Sequence, residues 1–131
     1  MNVLIESEKA TLGFNKETNA IELIWKSIHD ETTYKHMFTK GIEYLKEYKA
    51  TCWLSDIRKE GVVSPTNSKW LQQEVIPEAM KNGLKKIAVV MDADIFKKFY
   101  VQNIEKSVEN KQNQMMKYFD SVELANAWFK E

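Results

Sequence analysis

Several residue types are scarce in this chain of 131 residues, and each shortage excludes a class of protein. Cys52 is the single cysteine, so no disulfide can form within the chain, which is typical of a reducing compartment. The four glycines form no phosphate-binding loop, which excludes nucleotide hydrolysis of the P-loop kind. No apolar run approaches the roughly 18 residues that span a membrane. The start of the chain does not resemble a signal peptide, so a cytoplasmic location is expected.

The chain also has no net charge, because 19 basic side chains are balanced by 19 acidic ones. Nucleic-acid binding needs a basic surface that neutralises phosphates, so no nucleic-acid partner is predicted. Hydrophobic residues, in contrast, make up 44% of the chain. A chain of this length and composition can enclose a core without disulfides or metals, and a single domain over residues 1–131 is expected.

The first half of the chain predicts a hairpin followed by a helix. Residues 9–14 and 20–26 are predicted to form two antiparallel strands around a polar turn. Apolar residues then recur at helical spacing from Tyr34 to Tyr48, and Asp30 is the expected N-cap.

The second half alternates strands and helices. Two short apolar segments, residues 51–54 and 86–92, are predicted as buried strands, and the second is expected to be central and parallel. Between them a helix should begin at Ser64-Pro65 and bend or split at Pro77. A last strand is predicted at 114–119, before a short terminal helix. The fold class is therefore α/β, with a mixed sheet of four to five strands and an N-terminal antiparallel hairpin.

One candidate binding edge lies where the strand at residues 51–54 ends and the next helix begins. Asp56 and Arg58 lie in the predicted turn, Ser64 at the helix start and Trp70 within the helix. An aspartate in a turn most often caps backbone donors or accepts from a nearby arginine. The alternative is recognition of a partner, because arginine offers a planar fork to carboxylates and phosphates.

Two further residues complete the candidate edge. Asp92 ends the predicted central strand and, with Asp94, could bind magnesium or act as an acid–base pair, although helix capping is the more common role. Tyr100 lies on the following helical stripe near the same edge and has a polar group that needs a partner. The two histidines, His29 and His36, do not have metal-ligand spacing. The sequence therefore predicts no catalytic residues, no metal site and no cofactor.

Four stretches of the chain resemble the SpoIIAA-like group of the STAS/SEC14-type domains, which are small bacterial α/β proteins. These stretches are Trp53–Arg58, Val63–Trp70, Asn82–Val90 and Lys117–Asp120. The resemblance implies a mixed sheet with helical cover, and binding of a protein or of a small apolar ligand. It also implies a phosphorylated serine at the place of Ser64. The motif usual in that group is missing here, so Ser64 is only a weak candidate for phosphorylation.

Two functions from different classes follow. The leading prediction is a non-enzymatic cytoplasmic regulatory module that binds a protein partner through the edge between Asp56 and Trp70. The alternative is a carrier or sensor of a small apolar or acidic ligand, held between sheet and helices near Trp70, Phe99 and Tyr100. The sequence leaves a homodimer open, because an edge strand of the first hairpin could pair with a second copy.

Overall fold

The computed structural model describes residues 1–95 and 115–131, and in these residues six strands form one sheet whose spatial order follows the chain. The first three strands pair antiparallel, and strands three to six pair parallel. The strands are β1 (Asn2–Glu6), β2 (Ala10–Asn15), β3 (Ala20–Trp25), β4 (Cys52–Asp56), β5 (Lys86–Val90) and β6 (Met116–Phe119). The α/β class and the N-terminal antiparallel hairpin are confirmed.

The prediction of four to five strands was wrong, because β1 was not expected. Its apolar centre, Val3 to Ile5, is only three residues long, and its pairing with β2 shifts register between Val3 and Ile5. Val3 is also largely exposed. Hydrogen bonds to β2 therefore hold this strand in the sheet, and its sequence shows almost none of the apolar alternation from which a strand is predicted.

Helices cover both faces of the sheet. The described helical segments are α1 (Glu31–Tyr48), α2 (Pro65–Trp70), a π-helical turn (Leu71–Val75), α3 (Ile76–Lys81) and α4 (Val122–Phe129). The α1 and α2–α3 segments pack on one face, and α4 packs on the other. No helix in the described ranges is long and apolar enough to cross a membrane.

Alternation along the parallel strands separates the two faces. Leu23, Ser55, Val89 and Tyr118 stand in one row across the sheet, on the face toward α1. The neighbouring row runs through Asp56 and belongs to the face toward α4. Two consecutive residues of β4, Ser55 and Asp56, consequently serve opposite sides of the sheet.

The predicted break at Pro77 takes the form of a π-helical turn. The Ile76 amide bonds to the Leu71 carbonyl, five residues earlier, immediately before the proline. Since proline has no amide hydrogen and crowds the preceding turn, an expanded turn lets the helix continue past it. The α3 segment ends just before Gly83, whose φ of 103° favours glycine.

Candidate functional site

Two loops meet at the carboxyl edge of the sheet. His29 lies in the loop that follows β3, and Glu60 lies in the loop that follows β4. Because β3 and β4 are adjacent and parallel, both loops leave the same edge of the sheet, where ligands commonly bind in α/β proteins.

His29 and Glu60 form a buried pair. The His29 Nε2 atom lies 2.7 Å from the Glu60 Oε2 atom, and the two side chains are only 3% and 7% exposed. Burial raises the pKa of Glu60 above its usual value, while the hydrogen bond and charge of His29 act in the opposite direction. A buried carboxylate held by a single histidine is costly and unusual in a surface loop.

Aromatic rings enclose the histidine. The ring centroid of His29 is 4.4 Å from that of Trp25 and 5.1 Å from that of Tyr34. Tyr34 continues the cluster through contacts with Phe38 and Trp70. Burial and the nearby Glu60 charge strongly raise the pKa of Tyr34, so its hydroxyl stays protonated at neutral pH.

Beside this pair lies a cavity of about 330 Å³ between the sheet and the helices of one face. The sheet contributes Trp25, Trp53, Ser55, Ile87, Val89, Met116 and Tyr118 to its wall. The helices and loops contribute Tyr34, Phe38, Ile42, Ile57, Glu60, Val63, Ser68, Leu71, Gln72, Val75, Ile76, Ala79 and Leu84. Most of these side chains are apolar or aromatic, and a few polar groups stand among them.

The polar groups of the cavity differ in how well they are satisfied. Trp53 Nε1 donates to Ser55 Oγ at 2.9 Å, so these two are paired within the sheet wall. The buried Nε1 of Trp25 has no hydrogen-bond partner among the described residues. Glu60 has no side-chain partner other than His29 within residues 1–95 and 115–131. A buried polar atom without a partner, such as Trp25 Nε1, is uncommon in a folded protein.

The predicted edge at Asp56 and Arg58 is an internal ion pair. Asp56 is the last residue of β4 and not part of a turn as predicted, and its side chain is buried. Arg58 donates to it twice, from Nε at 2.9 Å and from Nη2 at 2.6 Å, and the Arg58 amide donates at 3.2 Å. Arg58 also interacts with the charge of Glu123 in α4, so this pair faces away from the cavity.

Replacing Arg58 with alanine is expected to lower the free energy of unfolding by about 1–3 kcal/mol, because buried Asp56 loses both bonds of the guanidinium fork. Arg58→Lys should recover part of this loss, since an ammonium restores charge without the planar fork. Urea unfolding of both variants measures the effect. Lys59→Ala, at an exposed neighbour, is the control and should stay close to the native protein. Equal stability of Arg58→Ala and Lys59→Ala would show that the ion pair contributes nothing.

Ser64 is a helix cap, as its position predicted. Its Oγ accepts from the Asn67 amide at 3.1 Å and donates to Glu31 Oε1 at 3.3 Å, which ties the start of α2 to α1. Trp70 is half-buried against Tyr34 and Phe38, and the Lys35 ammonium lies 5.7 Å from its ring centroid. Trp70 therefore supports the aromatic cluster from the outside.

The remaining predicted site residues do not join this cluster in the described structure. Asp92 and Asp94 are exposed, and Asp92 Oδ1 accepts from the Asp94 amide at 3.0 Å, which is a capping role. Tyr100, like Phe99, lies outside the described residues. No group of acidic, histidine and cysteine side chains in residues 1–95 and 115–131 could hold a metal ion. Cys52 is buried on the α4 face, and burial raises the pKa of its thiol.

Sequence reasoning missed the pair of His29 and Glu60. The two residues are 31 positions apart, and neither belongs to a recognisable motif. One signal was present: each residue follows a predicted strand, and a helix lies between the two strands in the sequence, which is the connection typical of parallel strands. Residues that follow neighbouring parallel strands lie at the same edge of the sheet, so the loops that contain His29 and Glu60 are expected to be close together.

Comparison with protein-family models, with curated proteins and with solved structures found no significant match.

Proposed function

We propose that the protein is a non-enzymatic carrier or sensor that binds a small, mainly apolar ligand in the cavity between its sheet and helices. The observation that carries this proposal is the cavity itself. Its volume of about 330 Å³ lies at the lower end of the range of roughly 300–1,000 Å³ usual for ligand sites. An apolar lining with a few convergent polar groups is also the usual composition of such sites.

The position of the cavity supports the same function. The β4–α2 loop, which leaves the sheet at its carboxyl edge, contributes Ile57, Glu60 and Val63 to the cavity wall. Ligands of α/β proteins commonly bind beyond the carboxyl ends of the strands.

The leading prediction of a protein partner at the edge between Asp56 and Trp70 receives less support. The Arg58 fork is already bound by Asp56, and Trp70 packs on the aromatic cluster, so a partner would have to displace internal contacts. Partner binding there, phosphorylation of Ser64 and a cytoplasmic location stay predictions. The same holds for membership of the SpoIIAA-like group. The edge strand β1 keeps the homodimer open as a further prediction.

A blocking variant tests the proposed function. Ser68 lines the cavity from α2, whereas Thr66 on the same helix is exposed and does not line it. We expect 4-phenylbutan-1-ol, an apolar probe with one polar end, to raise the unfolding temperature of the native protein and of Thr66→Phe, because it binds only the folded state. Ser68→Phe fills the cavity and should abolish the rise.

Two results would contradict the proposed function. The first is a flat unfolding temperature of the native protein at millimolar probe. The second is an equal rise in Ser68→Phe and Thr66→Phe, which would place the probe elsewhere on the molecule. Circular dichroism of the two variants verifies that both are folded before the comparison is made.

A further inference from the structure

Glu60 lines the cavity, and its pairing with His29 uses only one of its two carboxylate oxygens. Its side chain is almost fully buried and lines the cavity, and His29 Nε2 approaches only the Oε2 atom. Within the described residues, Oε1 has no hydrogen-bond donor. Oε1 is not among the fully buried polar atoms that lack a partner, so its surface is accessible. A ligand that covers this oxygen has to donate to it, because burying a carboxylate oxygen without a donor is costly.

The other charged side chains in residues 1–95 and 115–131 do not donate to Glu60 Oε1. Among the described residues that line the cavity, Glu60 is the only one with a charged side chain. The Lys35 ammonium lies over the ring of Trp70 and does not line the cavity. Glu60 is therefore the one carboxylate that the described wall offers to the head group of a ligand.

The aromatic wall favours the same kind of ligand. Trp25, Tyr34, Phe38 and Trp53 all line the cavity. The faces of aromatic rings carry partial negative charge and attract cations, above all when water is excluded. A ligand carboxylate would instead meet a like charge in a poorly solvated space, which disfavours its binding.

We propose that Glu60 is the polar anchor of the cavity and that it selects a ligand with an apolar body and a cationic amine head over one with a carboxylate head. This inference rests on the proposed function and names its ligand class. The amine would donate to Glu60 Oε1 in a charge-assisted hydrogen bond, while His29 holds Oε2. The apolar body would occupy the space between Trp53 and the helices.

Three probes of nearly equal size separate the head groups: 4-phenylbutylamine, 4-phenylbutan-1-ol and 4-phenylbutyrate. Titration calorimetry at neutral pH measures their dissociation constants with the native full chain. We expect the amine to bind at least tenfold more tightly than the carboxylate, with the alcohol between them. A carboxylate that binds as tightly as the amine would overturn the inference, and this comparison needs no variant.

Glu60→Gln tests the residue itself. It should weaken amine binding at least tenfold, leave alcohol binding within about twofold and improve carboxylate binding, since the amide keeps the shape but removes the charge. Glu74→Gln removes the same charge from an exposed position on the adjacent π-helical turn and should change none of the three constants. Survival of the amine preference in Glu60→Gln would assign the selectivity to another group and contradict the inference.

The outcomes for the two proposals are distinguishable. Binding of the alcohol that Ser68→Phe abolishes, without an amine preference, would retain the ligand cavity and reject Glu60 as its anchor. Failure of all three probes to bind the native protein would reject both proposals.

Discussion

Replacing His29 with alanine is expected to lower the free energy of unfolding by about 3–5 kcal/mol at neutral pH, because removing one member of a buried pair leaves the other charge uncompensated. Glu60 would lose its hydrogen-bond partner at 2.7 Å and keep a buried carboxylate. The contacts of His29 with Trp25 and Tyr34 would be lost as well. Chemical unfolding of the variant and the native protein measures the difference.

The loss of unfolding free energy in His29→Ala should depend on pH, and the shift in the pKa of Glu60 determines the direction of this dependence. Burial raises this pKa in the folded state from its usual value of 4.5, so the folded protein holds this proton to higher pH than the unfolded chain does. The stability that this group contributes is present below its unfolded pKa and is lost as pH rises through the folded pKa. Without His29 the opposing effect disappears and the pKa rises further, so the penalty of His29→Ala should be small in acid and grow toward neutral pH.

A double variant isolates the pair from the packing of the imidazole ring. Glu60→Gln removes the charge, so His29→Ala should cost much less in that background than in the native protein. The coupling energy between the two positions should account for most of the loss. The account would be contradicted if His29→Ala lowered the free energy of unfolding by the same amount at every pH and in the Glu60→Gln background. The loss would then come from the packing of the imidazole ring alone.

Substitution of Gly41 is the second change with a large expected effect. A Cβ atom at this position of α1 would overlap the Cη2 atom of Trp53. Trp53 cannot easily move, because its ring stacks on Phe38 and its Nε1 is bound to Ser55. Gly41→Val should therefore lower the free energy of unfolding by about 3 kcal/mol, which is the upper end of the usual cost of overpacking a core.

Gly41→Ala is the sharper version of this test. Intrinsic helix propensity favours alanine over glycine by about 1 kcal/mol, so an open position would be stabilised by the change. We expect destabilisation instead, measured by thermal unfolding, together with a changed near-ultraviolet signal from Trp53. Thr39→Ala, at an exposed position of the same helix, is the control and should not be destabilising. A Gly41→Ala protein that is more stable than the native one would contradict the close packing of α1 on β4.

Local patterns made the main elements predictable. The apolar stripe from Tyr34 to Leu45 forms the buried face of α1, and Asp30 caps this helix by accepting from the Thr33 amide at 2.7 Å. Both features depend on residues within one or two helical turns, which the sequence displays directly. The alternation of Leu23 and Trp25 toward one face of β3 is local in the same way, and both are buried there.

The candidate site was less accessible from the sequence because it depends on contacts between distant segments. His29 and Glu60 come together only when β3 and β4 pair in parallel, and the side toward which Ser55 points decides which residues line the cavity. The role of Asp56 depended on where β4 ends. The prediction ended the strand at Leu54 and placed Asp56 in a turn, whereas β4 continues for two more residues and buries Asp56 on the face opposite to the cavity. A shift of one position along a strand exchanges the faces, and no local propensity fixes that boundary.

The most direct test of the ligand-binding cavity is to locate a bound probe by nuclear Overhauser effects in the isotope-labelled full chain. With 4-phenylbutan-1-ol at saturation, we predict contacts from its ring protons to the methyl groups of Ile87 and Val75, which lie on the sheet and helix walls of the cavity. Contacts confined to the α4 face, for example to Leu54, or none at saturation, would contradict a ligand site in this cavity.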